Sequence, residues 1–156
     1  MKGGPDRTGI VIPPPLLFAV PLLAGWLVNR RWPWSLTGGS TAAVVAGVLL
    51  IAVGTAIALA GVRRFRKAGT TVLPFGGSSE LVTSGVYRFT RNPMYLGMTL
   101  AYAGFTLLLN SVWCVLFLPV ALMSVYVLAV RPEERYLSQK FGDHYTRYKA
   151  KVRRWI

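Results

Sequence analysis

Two glutamates stand side by side at Glu133 and Glu134, in a chain of 156 residues with five acidic side chains against eighteen Lys and Arg. A carboxylate can accept hydrogen bonds from the hydroxyl or ammonium groups of a ligand, or take up a proton. Earlier in the chain Arg91, Asn92, Pro93, Met94 and Tyr95 form a second polar group, which offers guanidinium donors, an amide and a flat aromatic face. One cysteine, Cys114, excludes an internal disulfide. With one histidine, His144, there is also no cluster for a transition metal, so no metal site is expected. No G-x-G, phosphate loop or H-E-x-x-H occurs. The chemistry left to this chain is metal-free and works by positioning.

The elements that must position these residues are apolar. Hydrophobic residues make up 53% of the chain and charged ones 15%. Four uncharged runs of roughly sixteen to twenty residues are each about long enough to cross a bilayer. They predict spans over about 10–28, 42–61, 94–109 and 112–130. The first carries Pro13, Pro14, Pro15 and Pro21 and should be kinked or start late. No small-residue cleavage site follows it, so the span is expected to stay in the protein. The expected fold is all-α: a polytopic membrane protein of about four transmembrane helices, a cytoplasmic cofactor-binding loop and a C-terminal amphipathic interfacial helix. Residues 1–61 form the N-terminal pair of spans, and 62–156 form a core containing the hairpin 94–130.

Sixteen basic residues fall before span one, in the 62–93 connection and after span four, against Arg30 and Arg31 between spans one and two. The positive-inside rule then places both termini and the connection in the cytoplasm, and sets Trp26, Trp32, Trp34 and Trp113 near the outer interface. A net charge of +13 would suggest nucleic acid for a soluble chain; here the bilayer explains it, and no nucleic-acid partner is expected. Gly47, Gly54 and Gly61, with Gly97 and Gly104, form small-residue seams for close helix packing, open equally to an internal contact and to a homodimer. The 62–93 connection should be mostly irregular, able to bind a polar ligand by its main chain. In the tail, Leu137, Phe141, Tyr145, Tyr148, Val152 and Trp155 recur at helical spacing, predicting one helix along the inner leaflet. Cys114 reads as a buried small hydrophobe and His144 as a surface residue.

The order LVTSGVYRFTRNPMYLG, a hairpin, then PEERYLSQKFGDHYTRYKAKVRRWI closely resembles the integral-membrane isoprenylcysteine carboxyl methyltransferase family and its relatives, the phospholipid N-methyltransferases. The resemblance covers roughly Val72 to Ile156. It implies S-adenosylmethionine as cofactor, with S-adenosylhomocysteine as product, bound on the cytoplasmic side by Ser79, Glu80, Leu81 and Val82, by Tyr87, by Asn92, Pro93, Met94 and Tyr95, and by Glu133. Two positions depart from the family pattern: Ser79 and Asn92 stand where its histidines do. At the position of an arginine that the family uses toward prenylcysteine stands Ala129, with Arg131 the nearest substitute.

The acceptor implied is a lipophilic small molecule or lipidated group entering sideways from the inner leaflet between spans three and four. Arg91, Asn92, Arg131 and Glu134 are the candidate catalytic residues. A carboxylate acceptor needs no base, which suits a site without histidine and favours O-methylation; an amine acceptor must first lose a proton, for which Glu134 is the candidate. Phospholipid N-methylation is the alternative enzyme reading. A non-enzymatic four-helix transporter or scaffold is the rival of another class, disfavoured because no span holds an ionisable residue.

Overall fold

A computed structural model describes residues 10, 12–69 and 80–155, and these are all helix, turn and irregular backbone. Each of the four apolar runs is helical. Helix α1 spans Pro14–Arg31, and it starts late, as the prolines require: Pro14 sits in its first turn, where no backbone N–H is missed. Helix α2 spans Thr41–Lys67. The Ser40 hydroxyl caps it by accepting from the Ala43 N–H, and Arg64, Arg66 and Lys67 complement the negative end of its dipole. It therefore runs six residues beyond the apolar stretch, carrying part of the 62–93 connection as helix. A single 3₁₀ turn, Gly85–Arg88, precedes α3 (Pro93–Leu108).

Helix α4 (Val112–Val125) begins at a Ser111 cap and passes through a π turn, Tyr126–Val130, directly into α5 (Arg131–Phe141). The tail is not one helix. Gly142, at φ 49°, ends α5 in a backbone region that L side chains avoid, and α6 (Asp143–Lys151) leaves at a new angle. Val152 is extended, and the residues after it form a strap back across the bundle.

Helix α2 packs along α3 and α1 along α4. The glycine seams face each other. A Cβ on Gly54 would collide with the Gly97 carbonyl, and one on Gly47 would lie 2.9 Å from the Gly104 carbonyl. The seam is thus filled by α3 of the same chain, which removes it as a surface for a second copy. A core of Leu17, Phe18, Tyr95, Tyr102, Ala121, Val125, Ala129 and Val130 joins α1, α3 and α4. Large apolar side chains outside it, such as Val44, Val48, Leu49 and Val53 of α2, are exposed. That inversion suits a lipid solvent. Helix α2 and the continuous Val112–Phe141 helix are each long and apolar enough to cross a membrane.

At one end of the bundle Trp34 and Trp113 meet edge to face at 5.8 Å, and the Trp113 indole donates to the Trp32 carbonyl. There Asn110 turns the α3–α4 hairpin at φ 48°. Cys114, in the first turn of α4, is fully buried.

Candidate functional site

The opposite end is built by α3, α5, α6, the strap and the segment 80–88. The π turn aims it. One extra residue in a helical turn rotates everything beyond it by about 100° relative to an uninterrupted α-helix. Glu133 meets Tyr95 of α3, and Glu134 meets Arg91 just ahead of it. Tyr95, 5% exposed, donates from its hydroxyl to Glu133 Oε2 at 3.0 Å. Glu134 is held differently: Arg91 approaches its Oε1 at 3.0 Å, and Arg154 donates to Oε1 at 3.0 Å and Oε2 at 2.9 Å as a bidentate pair.

The strap locks onto the start of α3. Arg91 N–H donates to the Arg153 carbonyl, and the Arg154 carbonyl accepts from the Thr90 hydroxyl at 3.1 Å and from Asn92 Nδ2 at 3.0 Å. In turn Tyr148 donates to the Tyr87 carbonyl at 2.7 Å, tying α6 to the 3₁₀ turn.

These ties border a narrow cleft that opens to solvent. Glu80, Leu81, Val82, Tyr87, Arg91 and Asn92 line one side of it, and Glu133, Glu134, Leu137, Tyr145 and Tyr148 the other, with Phe65 of α2 at the edge. Two polar atoms in its wall are buried without a partner: the Tyr87 hydroxyl and Arg91 Nε. Burial pushes the Glu133 carboxyl up to about 7, against the opposing pull of the Tyr95 hydrogen bond. Burial, with the Glu134 charge behind it, pushes Tyr145 up to about 12. Tyr87 is raised as well, chiefly by burial.

A second cavity, about 960 Å³ with its open side, lies between α3 and α4. Leu96, Thr99, Pro119, Leu122, Met123, Tyr126 and Trp155 line it, so its walls are largely apolar. Adjacent residues of α3 therefore serve the two cavities, Tyr95 through its bond to Glu133 and Leu96 directly.

The sequence model of the phospholipid methyltransferase family matches residues 42–144, which takes in α2, the cleft-forming segment 80–95, the α3–α4 hairpin and α5. The chain belongs to the phospholipid methyltransferase family. The chain is also 35% identical over 72 residues to a protein-S-isoprenylcysteine O-methyltransferase of Schizosaccharomyces pombe, covering 46% of this chain and 30% of that protein. The corresponding protein of Xenopus laevis is 36% identical over 75 residues, 48% of this chain and 26% of the relative. An uncharacterized protein of Haemophilus influenzae is 40% identical over 63 residues, its whole length and 40% of this chain. The chain thus matches less than a third of either isoprenylcysteine methyltransferase.

Of the residues singled out in the sequence, Glu80, Leu81, Val82, Tyr87, Arg91, Asn92, Glu133 and Glu134 come together in the cleft, with Tyr95 behind Glu133. Ser79 lies outside the described residues. Pro93 and Met94 pack against Gly61 of α2 instead of lining the cleft. Arg131 stands outside, its guanidinium 5.8 Å from the centre of the Tyr126 ring. Phe65, Leu137 and Arg154 were not anticipated. Arg154 gave no signal because one arginine in a basic tail looks like any other; its bond to Glu134 spans twenty residues and depends on the Gly142 break.

Proposed function

We propose that this member of the family is an S-adenosylmethionine-dependent integral membrane methyltransferase acting on a lipophilic acceptor. One observation carries the reading: a largely buried carboxylate, two unpartnered buried donors and three tyrosines meet in one cleft beside an apolar groove between α3 and α4. The cleft fits the cofactor by its donor set. Arg91 Nε and the Tyr87 hydroxyl call for a ligand acceptor such as a carboxylate or ribose oxygen. Glu133 can accept from ammonium or hydroxyl groups, and the faces of Tyr87, Tyr145 and Tyr148 suit a purine or a sulfonium. The backbone of Glu80, Leu81 and Val82 would hold it from the other side. When bound, the cofactor supplies an electrophilic methyl group.

For the chain itself, the work is alignment. Methyl transfer is an in-line displacement, and holding donor and acceptor in register supplies much of the rate. The strap and the Arg91–Glu134–Arg154 clamp fix one wall of the cleft, and the groove admits a lipid tail from the bilayer. A carboxylate acceptor is nucleophilic as it stands, giving an isoprenylcysteine-type O-methylation. A second reading, phospholipid N-methylation, is favoured by Glu133: a carboxyl held near 7 can take the proton that an ammonium acceptor must lose. Glu134, with both oxygens engaged by guanidinium groups, is poorly placed for that role. The positive-inside distribution puts this end, with both termini, in the cytoplasm.

Calorimetry of the detergent-purified protein with S-adenosylhomocysteine tests the cofactor assignment; binding is expected, and its absence overturns it. Membranes from expressing cells, supplied with isotopically labelled methyl donor and analysed by lipid mass spectrometry, should yield a labelled lipophile. No labelled product would overturn the acceptor class.

A further inference from the structure

Beside the apolar groove lies a basin of about 700 Å³, open side included, and Tyr126 belongs to the walls of both. Arg131, Arg135, Lys149 and Arg154 line the basin, with Glu134 as its one carboxylate. That carboxylate is already taken up by Arg91 and Arg154. Among the described residues no acidic group pairs with Arg131, Arg135 or Lys149. Arg131 and Arg154 also crowd a single ring: their guanidinium carbons lie 5.8 and 5.3 Å from the centre of Tyr126. An anion entering a basin lined by several cations lowers their mutual repulsion. The basin therefore presents surplus positive charge at the mouth of a groove lined by Leu122, Met123 and Trp155.

We infer that groove and basin together form one bipartite site for a glycerophospholipid of net negative headgroup, its acyl chains in the groove and its phosphate among Arg131, Arg135 and Lys149. Charge complementarity selects this occupant. A fatty alcohol or prenyl chain would fill the groove and leave the three cations unmatched. A zwitterionic headgroup would satisfy them with its phosphate but bring an ammonium group to a basin whose carboxylate is engaged. A lipid such as phosphatidylglycerol meets the basin without that conflict. The inference concerns the same groove that the methyl-transfer reading gives to the acceptor's tail; it says which membrane lipid docks there and assigns no reacting atom.

Trp155 reports on the groove, since Trp26, Trp32, Trp34 and Trp113 lie along α1 and at the other end of the bundle. The whole protein in a neutral detergent is titrated with phosphatidylglycerol, phosphatidylethanolamine or phosphatidylcholine carrying brominated acyl chains, and tryptophan quenching is followed. At low salt phosphatidylglycerol should quench with roughly tenfold higher apparent affinity than the zwitterionic lipids, the gap closing as ionic strength rises. In Trp155→Phe the quenching should largely vanish. In Arg131→Gln/Arg135→Gln/Lys149→Gln the headgroup preference should vanish while quenching persists.

Equal affinity for the three lipids in the parent, or a preference that survives the triple substitution, overturns the inference. Should that variant fail to fold, a preference in the parent that is indifferent to salt overturns it equally. Calorimetry with S-adenosylhomocysteine on the same samples keeps the two readings apart. Cofactor binding without headgroup preference removes the lipid site alone; headgroup preference without cofactor binding removes the methyltransferase assignment alone.

Discussion

At the tryptophan-rich end of the bundle, Asn110 Oδ1 accepts from the Thr37 N–H at 2.8 Å, the Thr37 hydroxyl at 3.0 Å, the Leu36 N–H at 3.1 Å and the Ser35 hydroxyl at 3.2 Å, while its Nδ2 donates to Ser35. At the basic end, Tyr87 and Arg91 each leave a buried polar atom unpartnered, and a carboxyl group is held by a single tyrosine hydroxyl. Both ends close a helix hairpin region with polar groups. Among the described residues, the first end engages its Asn110 amide wholly within the chain and leaves no buried side-chain donor or acceptor unpartnered. The other holds polar capacity in reserve, a condition that native proteins tolerate chiefly where function requires it. Uncompensated burial, more than the mere presence of charge, marks the second end as the site.

The contrast breaks most sharply at Glu134, since this carboxylate is the internal knot of the open end. Arg91 and Glu134 are 10% and 15% exposed, and Arg154 is 37% exposed. Glu134→Gln leaves two guanidinium groups facing a neutral amide. The expected loss is roughly 2–4 kcal/mol of stability, somewhat under the figure for a fully buried pair because Arg154 keeps contact with water. Thermal melts in detergent would show a clear drop in Tm. A Tm within a degree or so of the parent would mean that the clamp does not hold the strap. In the sequence Glu134 reads as a candidate base, and nothing there announces its pairing with two arginines.

Glu133 should behave as the reverse of its neighbour. On the proposed cofactor assignment, Glu133→Gln should weaken S-adenosylhomocysteine binding by about 1.5–3 kcal/mol, roughly ten- to hundredfold, the cost of one charge-assisted hydrogen bond. Stability without ligand should hold or rise near neutral pH, because a buried carboxylate is replaced by an amide. The pH dependence has a definite sign. The folded carboxyl titrates near 7 against an ordinary value of 4.5, so the folded state binds the extra proton. Its contribution is fully present below about 4.5 and is lost as pH rises through 7. The parent should therefore lose unliganded stability across that window relative to Glu133→Gln, which lacks the titrating group. Parallel pH–Tm curves for the two proteins would show that the carboxyl is not buried as described.

The apolar runs that position these residues were plain in the sequence, because a stretch such as 112–130 carries no charge to interrupt it. The glycines of α2 and α3 were legible as seams, though not which partner would fill them; only the packing shows Gly54 against Gly97. The π turn at Tyr126–Val130 was not legible, since YVLAV has the composition of any apolar helix and a single widened turn leaves no trace in periodicity. The clamp escaped for a related reason. Its three members, Arg91, Glu134 and Arg154, lie far apart in sequence, and the chain must break at Gly142 before Arg154 can return to α5. Glu133 and Tyr87 were reachable through residue chemistry and family resemblance together, whereas Tyr145 showed only as part of an amphipathic pattern; Glu134, the candidate base in the sequence, has both oxygens engaged by guanidinium groups.

The smallest effect is expected at the closed end, and it calibrates the others. Asn110 sits at φ 48°, so alanine there would add backbone strain to the loss of hydrogen bonds. Asn110→Gly separates the two, since glycine accepts that conformation and only the side-chain bonds disappear. Those bonds lie at an exposed or half-buried surface where water can replace them. The net cost should be about 1 kcal/mol, in line with ordinary hydrogen bonds and not with a buried pair. Because the tryptophan-rich end contributes no atom to the cleft, affinity for S-adenosylhomocysteine should stay at the parent value. A fall in affinity on Asn110→Gly would mean that the two ends are coupled through the α3–α4 hairpin, and the division between a closed end and an open one would have to be abandoned.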